Sequence, residues 1–250
     1  MRLGSDPEVF LQDWQGNPIS AIGYINADKW NPHQIPDMPQ GYTLQEDNVS
    51  LEYGIPPAAS ADEFVAHIQS VMAKSLEYLP NLTFSKLSCI IFPESQMEHP
   101  LAHIFGCEPD YNAWTMTENP KPAPPHPFMR SAGGHVHVET TQEGQDVIRK
   151  MDLFLGVPSV LMDKGEERKQ LYGKAGAFRV KSYGVEYRTL SNFWIFREPL
   201  IRWVWNNTQR ALDSNVDVIA EQSRILEAIN NNNKQVAQDL VQQYNLEVIV

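Results

Sequence analysis

The stretch Gly133-Gly134-His135-Val136-His137-Val138-Glu139 predicts a β-strand that carries chemistry on one of its faces. Histidine and glutamate alternate with valine, and successive side chains of a strand point to opposite faces of a sheet. His135, His137 and Glu139 therefore share one face, and the two valines between them pack into a core. The two glycines ahead of the strand favour a close approach of backbone or ligand.

Three other segments place ionisable groups at strand spacing. Asp6-Pro7-Glu8 supplies two carboxylates, and Glu186-Tyr187-Arg188 supplies a carboxylate and a guanidinium. The alternating segment from Asn48 to Tyr53 carries Glu52 opposite an apolar face. Each segment alone also fits a solvated edge strand or a surface ion pair. Charged residues rarely line one sheet face without a ligand or an ion, so together the segments predict a metal or phosphate site.

The composition narrows the class of protein. The chain has 250 residues, 42% of them hydrophobic and 20% charged, as in an ordinary soluble globular protein. The net charge of -11 argues against a nucleic-acid partner. No apolar run approaches the roughly 18 residues that span a bilayer, and the N-terminus lacks the apolar region of a secretory signal. Cys89 and Cys107 are too few for a disulfide framework, and Cys107 is expected to be buried and inert. We therefore expect a cytoplasmic protein with reduced thiols and no membrane partner.

The order of the elements predicts an antiparallel α+β fold. Ser60 and Glu63 form a capping box ahead of an amphipathic helix, and Thr140 and Glu143 repeat the pattern ahead of a second helix. The proline-rich stretch 109–127 is expected to form neither a helix nor a central strand. The remaining predictions are strands at 7–11 and 84–92, the second helix at 142–162, a hairpin at 178–190 turning at Ser182-Tyr183-Gly184, a helix starting at Glu198-Pro199, and two further helices broken near 230–233.

Three long motifs resemble a known family. Gly4 to Phe10, Arg130 to His137, and Tyr172-Gly173-Lys174 through Glu186 to Ser191 are similar to the phage carboxylate-amine ligases of the COOH.NH2 ligase type 2 group. That group is regarded as related to glutamine synthetase and glutamate-cysteine ligase. The resemblance covers most of residues 1–200 and implies a catalytic domain there, with a curved antiparallel sheet flanked by helices as in glutamine synthetase. Residues 201–250 are then a helical extension packed on the same domain.

The resemblance also implies an ATP site with two or three divalent cations, Mg²⁺ or Mn²⁺. In its terms Glu8 and Glu52 hold one cation, with Asp47 as a weaker third candidate, and Asp6, His135 and Glu186 hold the cation that bridges the ATP phosphates. Asp6 stands where glutamine synthetase has a glutamate. The implied catalytic residues are Arg179, Arg188 and Glu186, and the implied nucleotide-binding residues are Arg179, Lys181, Arg188, His137 and Arg130.

The leading hypothesis is thus an ATP- and Mg²⁺-dependent ligase that joins a carboxylate to an amine through an acylphosphate. Its substrates would be small molecules or peptides, in the host cytoplasm if the protein is phage-encoded, and the superfamily implies a possible homo-oligomer. A second hypothesis is a metal-dependent hydrolase that uses His135 and His137. A third is a non-catalytic phage protein on a ligase-like fold.

Overall fold

The computed structural model describes residues 1–104, 110–121 and 123–249, so Cys107 lies outside the described residues. In these ranges no helix has both the length and the apolar character that crossing a bilayer requires. The strands are β1 (Arg2–Ser5), β2 (Glu8–Gln12), β3 (Pro18–Ile19), β4 (His33–Gln34), β5 (Thr43–Asp47), β6 (Ser50–Gly54), β7 (Thr83–Ser85), β8 (Cys89–Ile91), β9 (Tyr111–Asn112), β10 (Thr117–Glu118), β11 (Met129–Ser131), β12 (Val136–Glu139), β13 (Ala177–Lys181) and β14 (Gly184–Tyr187). The α-helices are α1 (Ala61–Ser75), α2 (Gly144–Met151), α3 (Val157–Met162), α4 (Glu198–Asp213), α5 (Gln222–Asn230) and α6 (Lys234–Tyr244).

The strands form antiparallel sheets that curl into a half-barrel. The first sheet has the order β1-β12-β14-β13-β9-β10. The second has the order β3-β2-β6-β5-β4, with β7 also paired to β2, and β8 and β11 form a separate pair. The predicted α+β class with a curved antiparallel sheet is therefore confirmed. Among its described residues, the proline-rich stretch contributes only the two-residue strands β9 and β10 at one end of the first sheet, where β10 forms the edge and β9 pairs with both β13 and β10.

The chain passes from the first sheet to the second at Asp6-Pro7. Before this point β1 pairs with β12, and after it β2 pairs with β6. Proline has no N–H to give to a strand ladder, which suits a break between two sheets. The backbone N–H of Glu8 then donates to the carbonyl oxygen of Gly133 at 2.9 Å. The acidic motif and the glycine pair therefore meet where the two sheets join.

The first predicted helix is confirmed with its cap. The Ser60 hydroxyl accepts from the backbone N–H of Glu63 at 3.2 Å, and the Glu63 carboxylate accepts from the N–H of Ala59 at 2.6 Å. The second helical region is confirmed over 144–162, with a π-helical turn at Asp152–Gly156 between α2 and α3. Its predicted capping box is wrong, because Glu143 occupies the N-cap position and its side chain caps no N–H.

Strand boundaries account for the other corrections. The strand predicted at 7–11 is β2, and β1 before it was not predicted. The strand predicted at 84–92 is two strands, β7 and β8, which belong to different sheets. The hairpin of β13 and β14 and the three C-terminal helices are confirmed.

One large apolar core lies between the sheets and the helices. Val136 and Val138 of β12 are fully buried, as the alternation predicted. The aromatic run after β14 also belongs to this core, where Phe64 of α1 stacks on Trp194 with ring centroids 5.8 Å apart. The same core includes Trp203 of α4 and Leu240 of α6, so the C-terminal helices share it with the sheets.

Candidate metal and phosphate site

Antiparallel pairing lines up the predicted site residues across the first sheet. His137 of β12 lies opposite Glu186 of β14, and Glu186 lies opposite Arg179 of β13. On the other side of β12, Gly4 lies opposite His137, and a β-carbon at Gly4 would touch the His137 side chain at 3.5 Å. Residues in register share a face of the sheet, so this row forms one wall of the site.

The first cluster of metal-ligand atoms forms where Asp6 meets this row. The Asp6 Oδ1 atom lies 3.0 Å from His137 Nε2 and 3.3 Å from His135 Nδ1. His135 Nδ1 lies 3.8 Å from Glu186 Oε1. Ligand atoms of Asp6, His137 and Glu186 all lie within 4.8 Å of one another, close enough to hold one ion. The resemblance implied His135 in this set, and the structure brings His137 there with His135 beside it.

Three cationic side chains surround the buried carboxylate of Glu186. Lys181 Nζ lies 2.7 Å from Oε2, the Arg188 guanidinium bonds Oε1, and Arg179 Nη1 lies 3.8 Å from Oε1. Burial and the nearby Asp6 act to raise the pKa of Glu186, but Arg188 and the two imidazoles outweigh them and hold it at about 2. Glu186 is therefore ionised at neutral pH and is ready to bind a cation or to orient the basic groups around it.

Asp6 is ionised for a similar reason. Burial would raise the pKa of its carboxyl group, but the charge and hydrogen bonds of His137 and His135 hold it well below its usual value. The pKa of His137 responds in the opposite direction: burial lowers it, and Asp6 more than compensates by raising it.

A second cluster is made of acids from the second sheet. Glu8 of β2 lies opposite Glu52 of β6, and ligand atoms of Glu8, Asp47 and Glu52 lie within 4.8 Å of one another. Desolvation and the charge of Glu8 raise the pKa of Asp47 to about 6, and burial with Asp6 and Asp47 nearby raises that of Glu52 well above its usual value. Three clustered carboxylates, two of them with raised pKa values, form a site that a hard divalent cation would stabilise. Asp47, the weaker candidate, lies within this group.

The two glycines permit the close approach that the sequence indicated. The Gly133 N–H donates to Glu8 Oε2 at 2.7 Å, and a β-carbon on Gly133 would collide with the His135 ring. A β-carbon on Gly134 would collide with the indole nitrogen of Trp194. Larger residues at either position would push the imidazole or the strand out of place.

Arg188 and Arg130 have different surroundings. Arg188 Nη1 lies 3.3 Å from His135 Nδ1, and its Nε lies 3.7 Å from the carboxylate of Asp110. Arg130 is buried, and its guanidinium donates to the carbonyl oxygens of Ala102, Pro127 and Met129. Those contacts join the backbone at Ala102 to the backbone at Pro127 and Met129, and the nucleotide-binding role of Arg130 stays a prediction.

Sequence reasoning missed two polar partners of this wall. The Tyr183 hydroxyl lies 2.6 Å from His137 Nδ1, and the two rings stack with centroids 6.0 Å apart. Tyr183 stands in the predicted hairpin turn, two residues beyond Lys181, and that spacing was the available signal. Asp110 gave no signal, because it is distant in sequence from every motif and carries no alternating pattern.

Carboxylates and an imidazole gathered beside fixed arginines and a lysine are typical of sites that bind anionic phosphates through divalent cations. Residues 123–242 match the family described as phage phiEco32-like COOH.NH2 ligase-type 2. This matched region contains the histidine strand, the Glu186 strand and the C-terminal helices through most of α6, whereas the resemblance in the sequence was placed on residues 1–200. No curated protein matches the chain. The family description points to a ligase that acts on a carboxyl and an amino group.

Proposed function

We propose that the protein is an ATP- and Mg²⁺-dependent ligase that joins a carboxylate to an amine through an acylphosphate. The observation that carries the proposal is the convergence of Asp6, His137 and Glu186 within 4.8 Å, directly beside the cationic groups that contact Glu186. The family that matches residues 123–242 supports the reaction class.

The reaction explains why such a site needs no protein nucleophile. A carboxylate is a poor electrophile, so its oxygen first takes the terminal phosphoryl group of ATP, which gives an acylphosphate and ADP. The amine nitrogen then attacks the acyl carbon, the phosphate leaves, and the nitrogen loses a proton. Phosphoryl transfer depends chiefly on positioning and on neutralising anionic oxygens.

The residues present fit divalent cations. The acid group of Glu8, Asp47 and Glu52 offers only carboxylate oxygens, which suit Mg²⁺ or Mn²⁺. Asp6 and Glu186 add carboxylates with an imidazole. When bound, the ions would neutralise phosphate oxygens and orient the triphosphate.

The basic side chains would act on the phosphate directly. Arg188 presents a planar guanidinium, which matches two phosphate oxygens at once, and its present contact with Glu186 fixes its orientation. Lys181 and Arg179 come from β13 and reach the same carboxylate from the neighbouring strand. Together they would stabilise the phosphoryl group during transfer.

The hydrolase hypothesis has one observation in its favour, which is that both imidazoles contact Asp6. A hydrolase built on them would bind a transition metal tightly and would act without ATP. The ligase proposal accounts for the basic groups around Glu186, and the hydrolase does not.

The decisive experiment is thermal unfolding with a non-hydrolysable ATP analogue, with Mg²⁺, and with both together. We expect the pair to stabilise the protein beyond either alone, by about 2.7 kcal/mol at a ligand concentration of one hundred times Kd. Asp6→Asn should abolish the joint effect, and Asp62→Asn, a change of the same kind on the surface of α1, should leave it intact. No nucleotide binding with any divalent cation would refute the proposal. A screen of amine and carboxylate pairs for ADP release would then identify the substrates.

A further inference from the structure

Asp152 is a fully buried carboxylate that lies behind the first sheet, on the face opposite the site. It begins the π-helical turn between α2 and α3. Such turns within helices are frequent at functional sites. A buried carboxylate without hydrogen-bond partners would destabilise the fold, so the groups that contact Asp152 indicate its role.

Four donors converge on this carboxylate. Oδ1 accepts from the Tyr187 hydroxyl at 2.9 Å and from the Thr189 hydroxyl at 3.1 Å, whose hydrogen is shared with the carbonyl oxygen of Lys174, also at 3.1 Å. Oδ2 accepts from the indole N–H of Trp114 at 2.7 Å and from the backbone N–H of Gly176 at 2.6 Å. Burial raises the pKa of Asp152 to about 6, which leaves it ionised at neutral pH. An ionised carboxylate only accepts hydrogen bonds, and every one of these partners is a donor.

The partners of Oδ1 are the two residues that flank Arg188 in the chain. Side chains alternate along an extended segment, so Tyr187 and Thr189 point into the core while Arg188 points to the site. Holding both neighbours to one buried carboxylate fixes the backbone from which the guanidinium extends. Arg188 in turn bonds Glu186 on the opposite face.

The two groups that donate to Asp152 Oδ2 belong to neighbouring segments of the same wall of the site. Gly176 immediately precedes β13, the strand that carries Arg179 and Lys181, and its φ of +79° lies in the left-handed region that favours glycine. Trp114 follows the segment that brings Asp110 to Arg188. One carboxylate therefore joins three segments of the site, which carry Arg188 itself, the basic side chains of β13 that contact Glu186, and Asp110.

We propose that Asp152 is a positioning residue that fixes Arg188, from behind the sheet, in the orientation that the phosphate site requires. Its significance for catalysis rests on the proposed function, whereas its effect on Arg188 does not. The network is a fully satisfied buried polar cluster, which is the kind of arrangement that gives a single rigid geometry. Loss of its charge should disturb Arg188 more than it disturbs the fold as a whole.

The test is Asp152→Asn, which keeps the side-chain shape but replaces an acceptor oxygen with a donor NH₂. The matched control is Asn207→Leu in α4, where an equally buried polar side chain donates to Glu247 at 2.8 Å away from the site. Both variants should lower Tm. The discriminating readout is the ¹⁵N–¹H signal of the Arg188 side-chain Nε, assigned by its loss in Arg188→Lys. We expect Asp152→Asn to shift or broaden this signal and Asn207→Leu to leave it unchanged.

Two milder variants keep the test valid if Asp152→Asn does not fold. Tyr187→Phe and Thr189→Val each remove one donor and should shift the Arg188 signal in part. An Arg188 signal identical to that of the wild type in the folded variants, despite a lower Tm, would overturn the proposal.

A binding measurement separates this inference from the proposed function. Asp152→Asn should weaken the Mg²⁺ complex of a non-hydrolysable ATP analogue by about tenfold, because a displaced Arg188 loses part of its charge-assisted contact with phosphate. Affinity unchanged from that of the wild type would count against Asp152 as a positioning residue. If wild-type protein binds no nucleotide while its Arg188 signal still depends on Asp152, the proposed function fails and the positioning role stands.

Discussion

Glu186→Gln tests the electrostatics of the site most directly. The substitution keeps the shape of the side chain but removes the charge that Lys181 and Arg188 face. A pKa of about 2 in the folded protein, against an ordinary value of 4.5, corresponds to about 3 kcal/mol of stability at pH 7. This value agrees with the loss of about 3–5 kcal/mol of stability that follows when one partner of a buried ion pair is removed. We expect the lower end, because the Lys181 side chain is 30% exposed and can regain water.

The depressed pKa of Glu186 determines how the stability difference between the wild type and Glu186→Gln changes with pH. The pKa of Glu186 is depressed on folding, so its contribution is complete above about 4.5 and disappears as the pH falls through about 2. Urea unfolding at pH 7 and at a series of lower pH values should show wild type and Glu186→Gln converging as the solution becomes acidic. A loss of about 3 kcal/mol leaves most domains folded, since their total stability is about 5–15 kcal/mol. The variant should therefore stay folded and release no ADP.

Glu139→Gln is the matched control on the same histidine strand. Glu139 pairs with Arg2 at 3.8 Å, and both side chains are more than half exposed, so little stability should be lost. If Glu186→Gln were as stable as the wild type at pH 7, the inferred ion-pair network would be wrong. ADP release at the wild-type rate would refute the catalytic assignment instead.

Two further predictions concern cation binding. Lys181→Gln should free Glu186 Oε2 and raise the affinity for Mn²⁺ in the absence of nucleotide, measured by calorimetry; an unchanged or weaker affinity would show that Lys181 does not compete with the ion. Protons should compete with the cation at Asp47 and Glu52, whose pKa values are raised, so Mn²⁺ affinity should fall as the pH decreases. Below about 6, where Asp47 binds a proton, the affinity should fall by about tenfold per pH unit for each proton displaced. Glu52→Gln should flatten this dependence, and equal affinity at pH 5 and pH 7.5 in the wild type would contradict the cluster.

Alternation in the sequence predicted the faces of the strands well. His137 and Glu186 lie on one face because their strands are paired in register, and Val136 and Val138 are buried on the other. The glycine pair was informative for the same local reason, since the close contact at Gly133 depends on a missing β-carbon. Patterns of neighbouring residues therefore predicted those features of the site that depend on neighbouring residues alone.

Elements whose role depends on distant partners were not predictable. β1 has only four residues, and its pairing with β12 joins residues more than 130 positions apart in the chain. The Thr140 and Glu143 pattern failed because a helix cap depends on where the chain leaves the sheet. Asp152 looks like an ordinary polar residue in a helix, and only the folded structure shows four donors around it.

The two clusters differ in charge balance, and this difference predicts different modes of cation binding. At the first, Asp6 and Glu186 face basic groups and imidazoles, so their acids stay ionised without an added ion. At the second, burial and the neighbouring carboxylates raise the pKa values of Asp47 and Glu52. A divalent cation therefore relieves repulsion at the second cluster, whereas at the first it must compete with Lys181 for Glu186. Phosphate oxygens would draw that lysine away, so we expect the first cluster to take its ion together with nucleotide and the second to take its ion alone.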